Sequence, residues 1–190
     1  HSLAVSVAAE GLVGELHLKG IEEIFTAVLL HDIGKIILGQ FLQDDTEQIR
    51  FALTRGLSFT EAEADILGIT HAEIGAAVLA KWALPEAMIH AVRWHHAPEG
   101  AGRPTPMLDV VHVANVLCLM MGIGVGCDGL HHQPSPVVTR RLGVTTAHLE
   151  AVASRTLQWV GELSQMLESG SPSVDSNRKA FHGSEHPHCR

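Results

Sequence analysis

A histidine and an aspartate stand side by side in this sequence, at His31-Asp32. Further histidines follow at His71 and at the doublet His95-His96, each near the predicted beginning or end of a helix. Imidazole and carboxylate groups are ligands for Zn, Fe and Mn. Because helical bundles build metal sites in their cores from side chains on several helices, the set indicates a divalent-metal site.

Neighbouring residues on a regular helix point about 100° apart. His31 and Asp32 could therefore serve one ion only at an irregular point of the chain. They could also flank a two-metal site in which the carboxylate bridges the ions. The structural alternative is a histidine that ends one helix and an aspartate that begins the next.

The other candidates also have structural alternatives. A histidine pair at a helix C-terminus, such as His95-His96, is favoured by the helix dipole. His71 could be a simple N-terminal helix residue. Lys35 could neutralise a phosphate oxygen beside the site or could be a solvated lysine. The residue types and their spacing are compatible both with these structural roles and with metal or phosphate binding.

Helical periodicity runs through nearly the whole chain, and no alternating strand pattern persists, so the fold class is predicted to be all-α. Thr70 and Glu73 form a capping box that places His71 in the first turn of a helix. The other predicted helices cover residues 1–18, 21–30, 33–42, 46–57, 58–67, 86–96, 108–122, 137–142 and 146–167.

Composition limits the functional classes. A length of 190 residues suits one domain, expected to span residues 1–168, with a disordered tail rich in Ser, Pro, Gly and His over 169–190. The net charge of −8 and the lack of a basic patch argue against nucleic-acid binding. No apolar run reaches the roughly 18 residues of a membrane span. Three cysteines without paired spacing indicate a reducing compartment, so we expect a cytoplasmic protein.

Four stretches carry a resemblance to a known family: HSLAVSVAAEGLV, AVLLHDIGKIIL, GITHAEIGAAVLAKWALPEAMIHAVRWHHAP and VVHVANVL. In this order they resemble the HD superfamily of metal-dependent phosphohydrolases, and more closely the HDOD domain of bacterial signalling proteins. The resemblance implies an HD-domain-like helical bundle. HDOD proteins usually carry a further helical segment upstream, which this chain is expected to lack.

The resemblance also implies a set of metal ligands, which matches the dinuclear branch containing the HD-GYP phosphodiesterases. The implied ligands are His1, His31, Asp32, His71, His95, His96 and the residue aligned with a final aspartate, here Asn115. Asparagine is neutral, so the site loses one anionic ligand. Asp109, six residues earlier, is a poor helical match and is not expected to substitute for it. The GYP signature is absent, and Ala97-Pro98-Glu99-Gly100 stands in its place.

Two functions follow from the resemblance. The first is a regulatory or output domain that meets protein signalling partners or a fused sensory domain and holds Fe, Mn or Zn ions, with two ions possible. The second is a metal-dependent phosphohydrolase that acts on a nucleotide or cyclic dinucleotide, with Lys35 and Asp32 as catalytic residues. The departure at Asn115 and the missing GYP signature favour the first.

Overall fold

The computed structural model describes residues 1–40, 46–124 and 133–169, and within these ranges every regular element is helical. The all-α prediction is therefore confirmed. The helices are α1 (Ser2–Glu15), α2 (Ile24–Leu30), α3 (Ile33–Gly39), α4 (Thr46–Thr54), α5 (Phe59–Leu67), α6 (His71–Lys81), α7 (Glu86–Trp94), a 3₁₀ turn (Pro98–Ala101), α8 (Pro106–Met120), α9 (Pro136–Leu142) and α10 (Thr146–Ser169). The predicted disordered tail covers residues 169–190, and all of it beyond Ser169 lies outside the described residues.

Helix α8 forms the centre of the fold. All twelve residues from Met107 to Cys118 are buried, and nine of them are apolar, as expected for a helix that is surrounded by protein. Helices α1 and α7 pack directly against it, and α1 also contacts α2 and α10. Cys118 is a free thiol in this core, and burial raises its pKa to about 12. No described helix is both long and apolar enough to cross a membrane.

Capping side chains define where the helices nearest the histidines begin. Thr70 accepts a hydrogen bond from the backbone N–H of Glu73, and the Glu73 carboxylate accepts one from the N–H of Thr70. Ser58 and Glu61 form the same reciprocal pair at the start of α5. These bonds satisfy N–H groups that have no partner within the helix. The capping box predicted at Thr70 is therefore confirmed.

Helix α7 ends earlier than the sequence pattern predicts. The expected helix over 86–96 stops at Trp94, and His95 is its C-terminal cap. His96 consequently lies in the turn that follows. His95 still has helical backbone angles, φ −61° and ψ −22°, so the helix ends between the two histidines.

A close approach between α3 and α6 brings Asp32 near His71. A Cβ atom on Gly34 would overlap the backbone carbonyl of His71 and would lie 3.0 Å from the amide nitrogen of Gly75. Both neighbours are backbone atoms of α6, so no side-chain rotation could relieve the overlap. Only glycine permits this helix crossing.

We expect Gly34→Ala to lower the free energy of unfolding by about 1–3 kcal/mol or more, because α3 must move away from α6. Urea denaturation followed by circular dichroism would measure the change. Gly39→Ala, in the same helix with open space around its Cβ, is the matched control and should change stability by less than about 1 kcal/mol. Equal stability of Gly34→Ala and the wild type would show that the crossing is not tight.

Candidate metal centre

The junction of α2 and α3 places two successive side chains in the interior. His31 is the C-terminal cap of α2, and Asp32 is the N-terminal cap of α3. The Asp32 backbone, at φ −101° and ψ 12°, departs from helical geometry and turns the chain between the two helices. This is the irregular point that adjacent ligands require. Both residues are caps, as the structural alternative supposed, and both also face one cluster.

The Asp32 carboxylate is the centre of a ring of imidazoles. Its Oδ1 lies 3.4 Å from His71 Nε2 and 3.7 Å from His95 Nε2. Its Oδ2 lies 3.5 Å from His31 Nε2 and 3.7 Å from His1 Nε2. Each carboxylate oxygen therefore faces two histidine rings contributed by different parts of the chain.

The ligand-type atoms form two groups that share one carboxylate. Asp32, His71, His95 and His96 form the first group, and His1, His31 and Asp32 form the second. Within each group the nitrogen and oxygen atoms lie within 4.8 Å of one another. The two groups contain six of the seven residues that were predicted to form a metal site, and the seventh, Asn115, lies beside His1.

Hydrogen bonds on the far side of the rings determine which nitrogen faces the cluster. The Nδ1–H of His1 donates to the carbonyl of Ile123 at 2.6 Å. In the same way, His31 donates to the carbonyl of Val28 at 2.6 Å, and His95 donates to that of Val92 at 2.7 Å. In His71, Nδ1 donates to Oε2 of Glu63 at 2.6 Å. Because these oxygens only accept, Nδ1 carries the hydrogen in all four rings, and a neutral ring then presents a lone pair at Nε2.

Several cluster atoms are buried without a hydrogen-bond partner among the described residues. They are Nε2 of His31, Nε2 of His95 and Oδ1 of Asp32. All three carry lone pairs directed toward the cluster, so they cannot satisfy one another. Buried polar atoms without partners are rare in folded proteins, and a group of converging lone pairs is suited to a cation. The residues present therefore fit a divalent metal ion.

Electrostatics keep three of the histidines and Asp32 in the protonation states that metal binding needs, whereas Asp32 and Glu63 outweigh burial and raise the pKa of His71. Burial lowers the pKa of His31 to about 4, and burial also lowers the pKa values of His95 and His96. These rings are neutral near pH 7. Burial alone would raise the pKa of Asp32, but the surrounding imidazoles and the Lys35 ammonium outweigh it and hold this pKa well below its ordinary value.

Lys35 and His96 mark the solvent side of the cluster. The Lys35 ammonium lies 2.8 Å from Oδ2 of Asp32, and its side chain remains 35 % exposed. His96 lies 3.0 Å from His71, Nε2 to Nε2, and lines two cavities of about 210 and 330 Å³. A larger cavity of about 440 Å³, between α4 and α5, contains none of the cluster side chains. His96 is therefore the cluster residue that borders both of the smaller cavities.

Among the hydrogen bonds that the structure describes, Asn115 contacts the cluster only through His1. Its Oδ1 lies 2.9 Å from His1 Nε2, and its Nδ2 is buried without a partner in the described ranges. Because Nε2 of His1 carries a lone pair when Nδ1 holds the hydrogen, only the NH₂ group of the amide, turned toward this ring, can satisfy it without a metal ion. Asp109 does not replace it, as expected, because its carboxylate binds Arg141 through two hydrogen bonds of 2.6 and 2.5 Å.

Glu63 is not among the site residues predicted from the sequence. This buried residue of α5 accepts hydrogen bonds from both the backbone N–H and the ring of His71. One sequence signal could have identified it. Glu63 stands at position i+4 of an apolar helical stripe in which i, i+3, i+7 and i+8 are occupied by Phe59, Ala62, Ile66 and Leu67. A carboxylate in such a stripe needs a buried partner.

Comparison with known proteins gives one family. The sequence profile of the HDOD domain family matches residues 1–98, slightly more than half of the chain. An uncharacterized protein of Treponema pallidum (strain Nichols) is 25 % identical over 116 residues, which cover 60 % of this chain and 21 % of the relative. The chain therefore spans only about a fifth of that relative's length.

Three solved structures share the fold. A candidate signal-transduction protein from Marinobacter aquaeolei VT8 is 18 % identical, with a TM-score of 0.69, over 88 % of this chain and 38 % of that one. An HDOD domain protein of unknown function from Geobacter sulfurreducens is 23 % identical, with a TM-score of 0.58, over 89 % and 58 %. A candidate phosphohydrolase from Shewanella amazonensis SB2B is 17 % identical, with a TM-score of 0.56, over 82 % and 61 %. At these identities the likeness establishes the fold alone.

We expect the metal-free protein to lose stability as the pH falls from neutral to about pH 5. Unfolding returns the buried rings to an ordinary pKa of 6.5, so the unfolded chain binds more protons than the folded chain between about pH 4 and 6.5. His71 opposes this trend, since Asp32 and Glu63 outweigh burial and raise its pKa, but His31, His95 and His96 outnumber it. Urea unfolding in EDTA at the two pH values would measure the effect. An unchanged midpoint would contradict it.

Proposed function

The chain belongs to the HDOD domain family, and on that premise we propose that it is a regulatory domain of a signalling protein that binds divalent metal ions in its helical core. The family resemblance inferred from the sequence motifs is thereby confirmed. The observation that carries the metal-binding part is the direction of the rings. Four imidazoles, each with Nδ1–H bound elsewhere, turn Nε2 toward one nearly buried carboxylate.

The two groups of ligand-type atoms would hold the ions. Asp32, His71, His95 and His96 offer three nitrogens and one oxygen, a set that suits Zn, Fe or Mn. His1, His31 and Asp32 offer two nitrogens and an oxygen, with the Asn115 amide beside His1. The shared carboxylate of Asp32 would bridge two ions if both groups are loaded.

The charge of the ligand set supports regulation rather than catalysis. Asp32 is the single carboxylate in either group, and Asn115 contributes no charge where the related hydrolases have an aspartate. A neutral amide holds a second divalent ion less tightly than a carboxylate does. We therefore propose that the domain reports its metal state to protein partners or to a fused sensory domain in the cytoplasm.

A phosphohydrolase is the second candidate, favoured by the position of Lys35. Its ammonium lies at the partly exposed edge of the cluster, where it could stabilise charge on a phosphoryl oxygen of a nucleotide or cyclic dinucleotide. Asp32 would orient the reacting centre from the buried side. Bound divalent ions would supply the Lewis acidity and the activated water that phosphoester hydrolysis needs.

We expect the purified chain to retain about one to two equivalents of Fe, Mn or Zn, because the converging lone pairs need a cation. Elemental analysis would measure this content, and the double variant His31→Ala, Asp32→Ala should lose it. His17→Asn is the matched control, since it removes an exposed imidazole and asparagine tolerates the positive φ of 50° at that position. A metal-free wild type, even after reconstitution with all three metals, would refute the metal site.

We expect Asn115→Asp to strengthen binding of the second equivalent by on the order of tenfold or more, because a carboxylate about 4 Å from a cation contributes several kcal/mol even at an effective dielectric constant of about 20. Titration calorimetry with Mn²⁺ would measure it, with Asn115→Ala as the uncharged control.

The same proteins should be incubated with bis(p-nitrophenyl) phosphate and a cyclic dinucleotide. Hydrolysis by the wild type that disappears in Asp32→Ala would favour the second candidate.

A further inference from the structure

We infer that Glu63 is a positioning residue of the metal centre, which orients His71 and adds a negative charge behind it. This inference rests on the metal binding proposed above. Glu63 lies on α5, outside both groups of ligand-type atoms. Its role would be exerted entirely through the imidazole of His71.

The geometry fixes His71 at two points. Oε2 of Glu63 accepts the ring Nδ1–H of His71 at 2.6 Å and the backbone N–H of the same residue at 3.0 Å. The first bond sets the tautomer and the ring orientation, so that Nε2 faces Asp32. The second holds the first residue of α6 in place. The other three Nδ1 donors of the cluster are bound to neutral carbonyls, so His71 is distinguished by an anionic acceptor.

The burial of Glu63 supports an electrostatic role. Its side chain has no solvent exposure, and its Oε1 is buried without a hydrogen-bond partner in the described part of the chain. A buried carboxylate is unfavourable unless a positive charge compensates it. A cation bound at Nε2 of His71 would polarise the ring, strengthen the Nδ1–H bond to Glu63 and supply that compensation. Glu63 would thereby add a negative charge to a site in which Asn115 is neutral.

The test compares Zn²⁺ affinity, measured by competition with a chromophoric chelator, in the wild type and in Glu63→Gln. Glutamine keeps an acceptor for Nδ1–H but removes the charge. We expect the affinity to fall by roughly 10- to 100-fold. Asp65→Asn removes an exposed carboxylate two residues away on the same helix, and it should change the affinity by no more than about twofold.

A double-mutant cycle separates positioning from a general structural effect. If Glu63 acts through His71, then Glu63→Gln should cause no further loss of Zn²⁺ affinity in a His71→Ala background. Should His71→Ala fail to unfold cooperatively, His71→Gln replaces it, because its amide nitrogen can still donate to Glu63. A loss of equal size in both backgrounds would overturn the inference.

The outcomes distinguish this inference from the proposed function. A wild type that binds no Zn²⁺ refutes the metal site and the role of Glu63 with it. A wild type that binds Zn²⁺ while Glu63→Gln binds equally well refutes only the role of Glu63. If Glu63→Gln lowers the Zn²⁺ affinity of the wild type but causes no further loss in the His71→Ala background, Glu63 is established as the residue that orients His71.

Discussion

The contact between α3 and α6 at Gly34 is the constraint on which the rest of this structure depends. Asp32 begins α3 and His71 begins α6, so the separation of the two helices sets the distance between a carboxylate and an imidazole. With a hydrogen atom in place of a side chain, Gly34 lies directly against the backbone of His71. Any larger residue would separate the helices and open the centre of the cluster. The glycine that follows the His-Asp pair is therefore part of the site, although it supplies no ligand.

Around that contact, hydrogen bonds outside the cluster determine what its atoms can do. Carbonyls near helix ends take the Nδ1 hydrogens of His1, His31 and His95, and a buried carboxylate takes that of His71. The lone pairs then face inward, where they repel one another unless a cation lies between them. This arrangement explains why a largely apolar helical core contains so many histidines. A cluster built only for packing would have its ring nitrogens satisfied by protein donors.

His112 shows what such a satisfied histidine looks like. Its Nδ1 donates to the carbonyl of His95, and its Nε2 accepts the N–H of Ser135. Both ring nitrogens therefore have protein partners. Asn115, one helical turn later, lies between the two cases, because its amide can satisfy His1 alone or turn its oxygen toward an ion. Its side chain is neutral where the resemblance to metal-dependent hydrolases implies an aspartate.

The sequence by itself determined the helical class, the start of α6 at its capping box and the residue types of the cluster. These features depend on neighbours three or four residues apart, and such local patterns are visible in a single chain. Tertiary structure alone decided the inward direction of Nε2, the end of α7 before His96, the partnership of Asp109 with Arg141 and the role of Glu63. Each of these depends on an acceptor or a packing partner whose position only the folded chain defines. Periodicity can place a residue on a helix face, but it cannot identify which atom on another helix that face will meet.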